Sequence, residues 1–513
     1  MQKKQSACAH ASAAYRDWAA LQDRRHSLEA VAVNGRDLTI SDVVAVSLYG
    51  GTATLSRDPR DVQLVSDSVE FLRRQLEAGS VIYGVNTGFG GSADTRTQRL
   101  EQLQSAAIQQ LNVGILLKAD KTDAEADRRQ DNGLLRSHAL PPPIVRAAML
   151  IRCNSLMRGH SGVRISVIES VMKLLALDTT PVVPLRGSIS ASGDLSTLSY
   201  IAGALEGNPD IFVRVGGGSS RSEDGKTKIV SAREALRLAE LEPVRLQAKE
   251  GLGIINGTAP SCAAACLAIH QANQLVILVQ LLTAMGAEAL GGTANNYHPF
   301  ISSVRPHPGQ AEVAANILAF LVGSKLCRPL SKGGDSSSLA RRGLAQDRYA
   351  LRTAPQWLGP QVEDLLLAGR QVAVELNSTT DNPLIQLTGE EEQEHESRIH
   401  HGGNFQAHAL TSAMEKTLLA LQNTGRLLFA QSSELLGQHG GATGSSGGGV
   451  GLTPNLSWDD PSGSFTCKGL DINMAAYAAE LAACAHPVSA HVLPAETANQ
   501  SVNSMALYIR REL

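Results

Sequence analysis

The sequence predicts a mainly α protein, with a long central helix bundle preceded by a smaller mixed domain. Three observations carry this. Thr258 to Leu290 is apolar on nearly every face, and a helix hydrophobic all round is a buried one. Aromatic residues make up only 4% and β-branched runs are short, which argues against a large sheet. The stretch PVVPLRGSISASGDLSTLSYIAGALEG changes texture toward small residues, as a compact irregular loop running into a helix near Leu195.

The elements follow in order. Residues 1–30 read as a mobile leader, 31–230 as the mixed N-terminal domain with the small-residue loop, and 231–513 as the bundle. VAVNGRDLTI is hairpin-like, with Asn34-Gly35 as its turn. Leu64 to Leu76 and Leu100 to Leu117 have apolar residues at helical spacing. Pro141-Pro142-Pro143 opens a helix over Ile144 to Leu156, and Ser161 to Leu177 follows. VGGGSSRSEDGKTK is a polar surface loop. Gln361 to Asn377 and Gln406 to Leu436 are further long helices, interrupted by EEEQEHESRIHHGG and GGATGSSGGGVG. No repeat of about 20–50 residues is present.

Bulk numbers narrow the function. At 513 residues the chain exceeds one ordinary core. A net charge of -3 and a pI near 6.5 give no pull toward nucleic acid or anionic membrane. Seven scattered cysteines, an odd number with no C-x-x-C pair, suit a reduced cytoplasmic protein. The N-terminus lacks the apolar run of a signal peptide. The longest apolar stretch, Leu275 to Ala287, is too short to span a bilayer.

Ala191-Ser192-Gly193-Asp194 is the string with unusual chemistry. A tight turn and N-cap is its commonplace reading. The alternative is ring closure. Gly193 has no Cβ, so its amide nitrogen can approach the Ala191 carbonyl carbon. Attack there, followed by loss of two waters, one from the Ser192 side chain, leaves an imidazolone with an exocyclic methylene. That product is an electrophile no standard side chain supplies.

Eight further blocks occur in order: YGVNTGFGG at Tyr83, LRSHAL at Leu135, RCNSLMRGHSGVR at Arg152, GIINGTA at Gly253, QDRYALRTAPQWLGP at Gln346, ELNSTTDNPLI at Glu375, HGGNFQ at His401 and ETANQSVNS at Glu496. Together with the tripeptide they resemble the histidine and phenylalanine ammonia-lyase family. The resemblance runs from about residue 35 to the end, closest in style to fungal phenylalanine ammonia-lyases.

The resemblance implies an aromatic amino-acid ammonia-lyase with a 4-methylidene-imidazol-5-one made from Ala191, Ser192 and Gly193, and without metal or nucleotide. It assigns Tyr83 as the base for the β-proton, on a glycine-rich loop suited to a mobile lid. Unperturbed tyrosine titrates near pH ~10, so a tyrosinate base calls for a lowered pKa. Arg352 corresponds to the residue gripping the substrate carboxylate, where a guanidinium fork suits a planar anion. Tyr349 shares its face if that stretch is helical. Asn256, Gln346 and Asn382 correspond to cofactor- and substrate-bonding positions, Phe405 to the ring beside the cofactor, and Glu496 to the residue handling the amine. Lys468 and Asn499 fall at further substrate positions. Taken singly, each of these residues has a commoner structural role: a packed ring, a surface ion pair or a solvated carboxylate.

Substrate choice can be read from the same matching. Gln500 replaces the glutamate of histidine-specific members. Leu195, Leu252, Ile255 and Ile472 would supply an apolar wall suited to an aryl ring. Gln110-Leu111 occupies the ring-facing pair and departs from the pairs of phenylalanine- and tyrosine-specific members; Gln110 can also serve a phenol. Phenylalanine to trans-cinnamate is the leading reading. Tyrosine ammonia-lyase, an aryl-alanine 2,3-aminomutase and a degenerate scaffold subunit are the alternatives. The family further implies a homotetramer with shared active sites, and chain beyond Leu513.

Two other segments carry residues that metal or phosphate chemistry uses, without the spacing it needs. Glu394, His395, Glu396, His400 and His401 lack H-E-x-x-H spacing, and the glycine tract lacks the Gly-Lys-Ser/Thr of a P-loop.

Overall fold

The computed structural model describes residues 10–27, 29–117, 136–189, 195–216, 227–330, 346–387, 398–436, 452–460, 462–487, 495–496 and 499–503. The tripeptide Ala191-Ser192-Gly193, the acidic run with Glu394, His395 and Glu396, and the glycine tract 440–451 lie outside the described residues.

The N-terminal half holds α1 (His10–His26), β1 (Val31–Val33), α2 (Ile40–Leu48), β2 (Ala53–Leu55), α3 (Pro59–Glu77), α4 (Leu100–Gln109), α5 (Pro142–Leu156), α6 (Ile165–Ala176), β3 (Thr179–Pro181), α7 (Ser196–Leu205), β4 (Phe212–Val215), β5 (Lys228–Ser231) and α8 (Ala232–Leu238). Then come α9 (Glu250–Ile255), α10 (Ala259–Ala289), α11 (Pro299–Val304), α12 (Pro308–Phe320), α13 (Tyr349–Arg352), α14 (Ala354–Leu376), β6 (Leu384–Ile385), β7 (Ile399–His400), α15 (His408–Leu436) and α16 (Leu470–Cys484). The protein is mainly α, as expected. Its sheets have two or three short strands, with β3-β4-β5 antiparallel.

The 31-residue α10 is the axis of the molecule, packed against α5, α12, α14 and α15. Its first twelve residues, 259–270, are buried throughout, with Cys262 and Cys266 as small core residues. By length and hydropathy the stretch Glu250–Ala289 could cross a membrane, contrary to the sequence expectation; 67% of its apolar window is buried inside the protein, as in a core helix. Its second half turns Leu275, Leu278, Leu281, Leu282 and Met285 outward, so the expected all-round burial is not met within one chain.

Three further expectations are corrected. Residues 10–26 are a docked helix, not a mobile leader: the Glu312 carboxylate accepts from the His10 and Ala11 amides, and His270 Nδ1 lies 2.5 Å from Asp17 Oδ2. Asn34-Gly35 makes a turn without a hairpin. Gly35 adopts φ +89° and donates its amide to Asn154 Oδ1 at 2.8 Å; the chain continues into α2, and β1 pairs in parallel with β2. Helix α4 stops at Gln109, short of Leu117, because tertiary bonds take over. Ser199 Oγ donates to Asn112 Oδ1 at 2.8 Å, and the Gly114 amide to Tyr200 Oη at 2.9 Å. Elsewhere the capping signals decide the ends: Pro59 starts α3 behind Asp58, whose carboxylate accepts from the Arg60 amide.

Candidate active site

The site begins where α9 meets α10. Lys249, in the left-handed region at φ +72°, opens α9, and Asn256 closes it, leaving Leu252 and Asn256 facing a cavity of about 860 Å³. Opposite stands the segment after α14, with Asp381 and Asn382. Asn256 Nδ2 donates to Asn382 Oδ1 at 2.7 Å. Behind this pair lies a buried charge cluster. Lys249 Nζ is 3.0 Å from Asp381 Oδ2, Arg152 Nη2 is 3.6 Å from the same oxygen, and Arg152 also donates to the Gly253 carbonyl. Burial lowers the pKa of both cations, while Asp381 opposes that shift.

A tight loop carries Tyr83 into the cavity. Thr87 Oγ1 accepts from the Gly84 amide at 3.0 Å, and Asn86 Oδ1 from the Ile82 amide at 2.8 Å. The Gly90 amide donates to Tyr83 Oη at 2.8 Å. Burial raises the Tyr83 pKa above its ordinary value; the Gly90 bond lowers it, and the Glu496 charge raises it further. Within one chain the shift therefore runs opposite to the direction a tyrosinate base calls for.

The rest of the lining comes from distant segments. Gln110 and Leu111 enter from the end of α4, Gly187 and Ile189 from the stretch before the tripeptide, and Leu195 from the start of α7. Phe405 and His401 follow β7. A C-terminal strip, bridged between Ala495 and Gln500, brings Glu496, Asn499 and Gln500. Asn499 Nδ2 donates to Glu496 Oε2 at 3.2 Å.

Eleven residues expected from the sequence thus share one cavity: Tyr83, Gln110, Leu111, Leu195, Leu252, Asn256, Asn382, Phe405, Glu496, Asn499 and Gln500. Five do not. Gln346, Tyr349, Lys468 and Ile472 are exposed on the bundle. Arg352 stacks its guanidinium 5.1 Å over the Tyr349 ring, as the helical spacing suggested, and its buried Nε has no partner among the described residues. Helix α13 sits at the far end of the bundle, anchored by Asp347 to the Thr293 amide and to Asn296, away from this chain's cavity.

Sequence reasoning missed Phe89, Ala93, His401 and Gln406 in the lining. His401 stands in the HGGNFQ block, and its place beside the acidic run EEEQEHESRIH hides its cavity position in the sequence. Burial and neighbouring His400 lower its pKa. Among the described residues no group of three or more His, Cys, Asp or Glu is placed to hold a metal.

The sequence profile described as aromatic amino acid lyase matches residues 38–513. The chain belongs to the aromatic amino acid lyase family. Within the family, it is 52% identical over 94% of its length to a phenylalanine ammonia-lyase of Aspergillus lentulus, covering 63% of that protein. It is 47% identical over 98% of its length to a phenylalanine aminomutase (L-beta-phenylalanine forming) of Talaromyces islandicus, covering 66% of it. Among solved structures of the family, phenylalanine ammonia-lyase from Rhodosporidium toruloides superposes with a TM-score of 0.81 at 40% identity, over 98% of this chain and 68% of that one. The chain therefore spans a little under two thirds of the length of the curated relatives it matches.

Proposed function

We propose that this chain eliminates ammonia from L-phenylalanine to give trans-cinnamate. The observation that carries the reading is one cavity in which Tyr83, Asn256, Asn382 and Glu496 face an apolar wall of Leu111, Leu195, Leu252 and Phe405. The names of the fungal relatives support the same chemistry.

The methylidene-imidazolone from Ala191-Ser192-Gly193 belongs to this proposal. Ile189 and Leu195, on either side of the tripeptide, both line the cavity. The buried Asn256 Oδ1 in the same wall has no partner among the described residues, which fits a polar group seated there. Once formed, such a group supplies an electrophilic carbon that makes the substrate amine a leaving group. The chain's side chains do the rest. The apolar wall takes the aryl ring, and the Asn256 and Asn382 amides orient polar atoms. Tyr83 Oη accepts the β-proton, with the Gly90 amide favouring its ionised form. Glu496, beside Asn499, receives the departing amine.

Arg352, Gln346, Tyr349, Lys468 and Ile472 enter the reading through association into a homotetramer, in which another copy completes each site. The outward apolar face of α10 supports that assembly, since a soluble monomer rarely exposes such a stripe. A cytoplasmic location goes with the same reading.

The test is ultraviolet absorbance during incubation with phenylalanine, tyrosine and histidine in parallel. A conjugated arylacrylate absorbs where its amino acid does not, so a rise with phenylalanine supports the lyase. A rise only with tyrosine moves the assignment to tyrosine, which Gln110 could serve. A flat trace with a β-amino acid appearing on chiral chromatography favours the aminomutase, the second reading, which rests on the 47% identical relative of that name. Intact mass lacking two waters supports the cofactor; the full mass favours a scaffold subunit. Light scattering reads the tetramer directly.

A further inference from the structure

Gln104 takes no part in the cavity lining, yet it is fully buried between two segments that build the cavity. Its side-chain amide uses both ends. Nε2 donates to the carbonyl of Gly84, the residue after Tyr83, at 3.1 Å. Oε1 accepts from the Leu252 amide at 3.0 Å. Leu252 is the third residue of α9, so its amide is one of the helix-start donors with no partner inside the helix. Close approach makes the second bond possible. Gly251 faces the backbone and Cβ of Gln104, and a Cβ at Gly251 would lie only 2.8 Å from the Gln104 Cβ.

We infer that Gln104 is a positioning residue that sets the Tyr83 loop against the α9 wall. A side chain of this length, with a donor at one end and an acceptor at the other, ties the Gly84 backbone, next to Tyr83, to the wall residue Leu252. A merely space-filling residue would need neither bond. The inference rests on the lyase reading for its kinetic consequence, but not for its structural one.

The experiment compares wild type, Gln104→Met and Gln104→Glu. Methionine keeps the length and loses both bonds. It should lower kcat about tenfold, about what one buried hydrogen bond contributes, with KM changed less than about twofold. Hydrogen exchange at 84–91 should speed up while α10 stays protected. Glutamate gives a signature that packing cannot. As a carboxylate it still accepts from the Leu252 amide but has no proton for the Gly84 carbonyl. When protonated it donates its hydroxyl there and restores both bonds. Burial raises the pKa of such a carboxyl, so the deficit of Gln104→Glu relative to wild type should shrink as pH falls, in kcat and in loop exchange alike.

Gln104→Met matching wild type in kcat and loop exchange overturns the inference. So does a Gln104→Glu ratio to wild type that is flat with pH. If Gln104→Met does not fold, Gln104→Glu followed across pH carries the decision alone. If wild type turns over no aryl-alanine, the lyase reading fails, and loop exchange in the variants still decides the role of Gln104.

Discussion

The Glu496 carboxylate lies against the backbone of Gly90, in the space where any side-chain carbon on residue 90 would stand. Gly90 is also at φ +48° and donates its amide to Tyr83 Oη. One glycine thus sets the relation between the phenol and the carboxylate.

Gly90→Ala should therefore damage the site rather than the fold. The left-handed backbone costs an alanine about 1 kcal/mol, and the new methyl displaces Glu496. The expected outcome is a fall in kcat/KM of about 10–100-fold with the melting temperature lowered by only a few degrees. Parallel kinetics and thermal unfolding check this.

The Glu496 charge is one cause of the raised Tyr83 pKa. If Tyr83 acts as the ionised base, activity rises with pH through its pKa. Glu496→Gln removes a negative charge that disfavours the phenolate, so the rising limb of log kcat/KM should move to lower pH, even as the plateau falls. A limb that stays in place or moves upward would separate Tyr83 from that limb. The stability sign runs with it: a phenol whose folded pKa is raised contributes stability that is present below the ordinary value near ~10 and lost as pH rises past it.

Asp381 is the anion between two buried cations, Lys249 and Arg152. Asp381→Asn leaves both uncompensated and should cost about 3–5 kcal/mol. Chemical denaturation measures it. Lys249→Met/Asp381→Asn should recover part of the loss, because the worst unpaired charge is gone; a double-mutant cycle reads that coupling.

Gln110 brings a polar amide to a cavity whose wall is otherwise largely apolar on the leucine side. Gln110→Phe removes the group able to meet a phenol. The ratio of kcat/KM for phenylalanine over tyrosine should rise by about tenfold or more. Initial rates followed by arylacrylate absorbance with both substrates give the ratio.

Much of the fold could be read from local pattern. The apolar periodicity of α3, α5, α10, α14 and α15 is a property of neighbouring residues, and tertiary packing kept those helices. It was hidden where distant groups compete with local preference. The Ser199 and Tyr200 hydroxyls end α4 by bonding Asn112 and Gly114. Glu312 and His270 turn residues 10–26 into a docked helix. Asn154 holds Gly35 in a turn that leads to no hairpin.

The sequence by itself determined the family, the mainly α class and the residue types of the site, because ordered blocks and helical spacing survive without coordinates. Only the tertiary structure decided which of those residues meet. It gathers Tyr83, Asn256, Asn382 and Glu496 from four separate segments around one cavity. It leaves Arg352, Tyr349 and Ile472 on the bundle, away from that cavity. It also reveals Gln104 as a two-ended tie. The reason is physical: hydrogen bonding and burial act between atoms a few ångströms apart, and spacing along a chain fixes such distances only within one helix or turn.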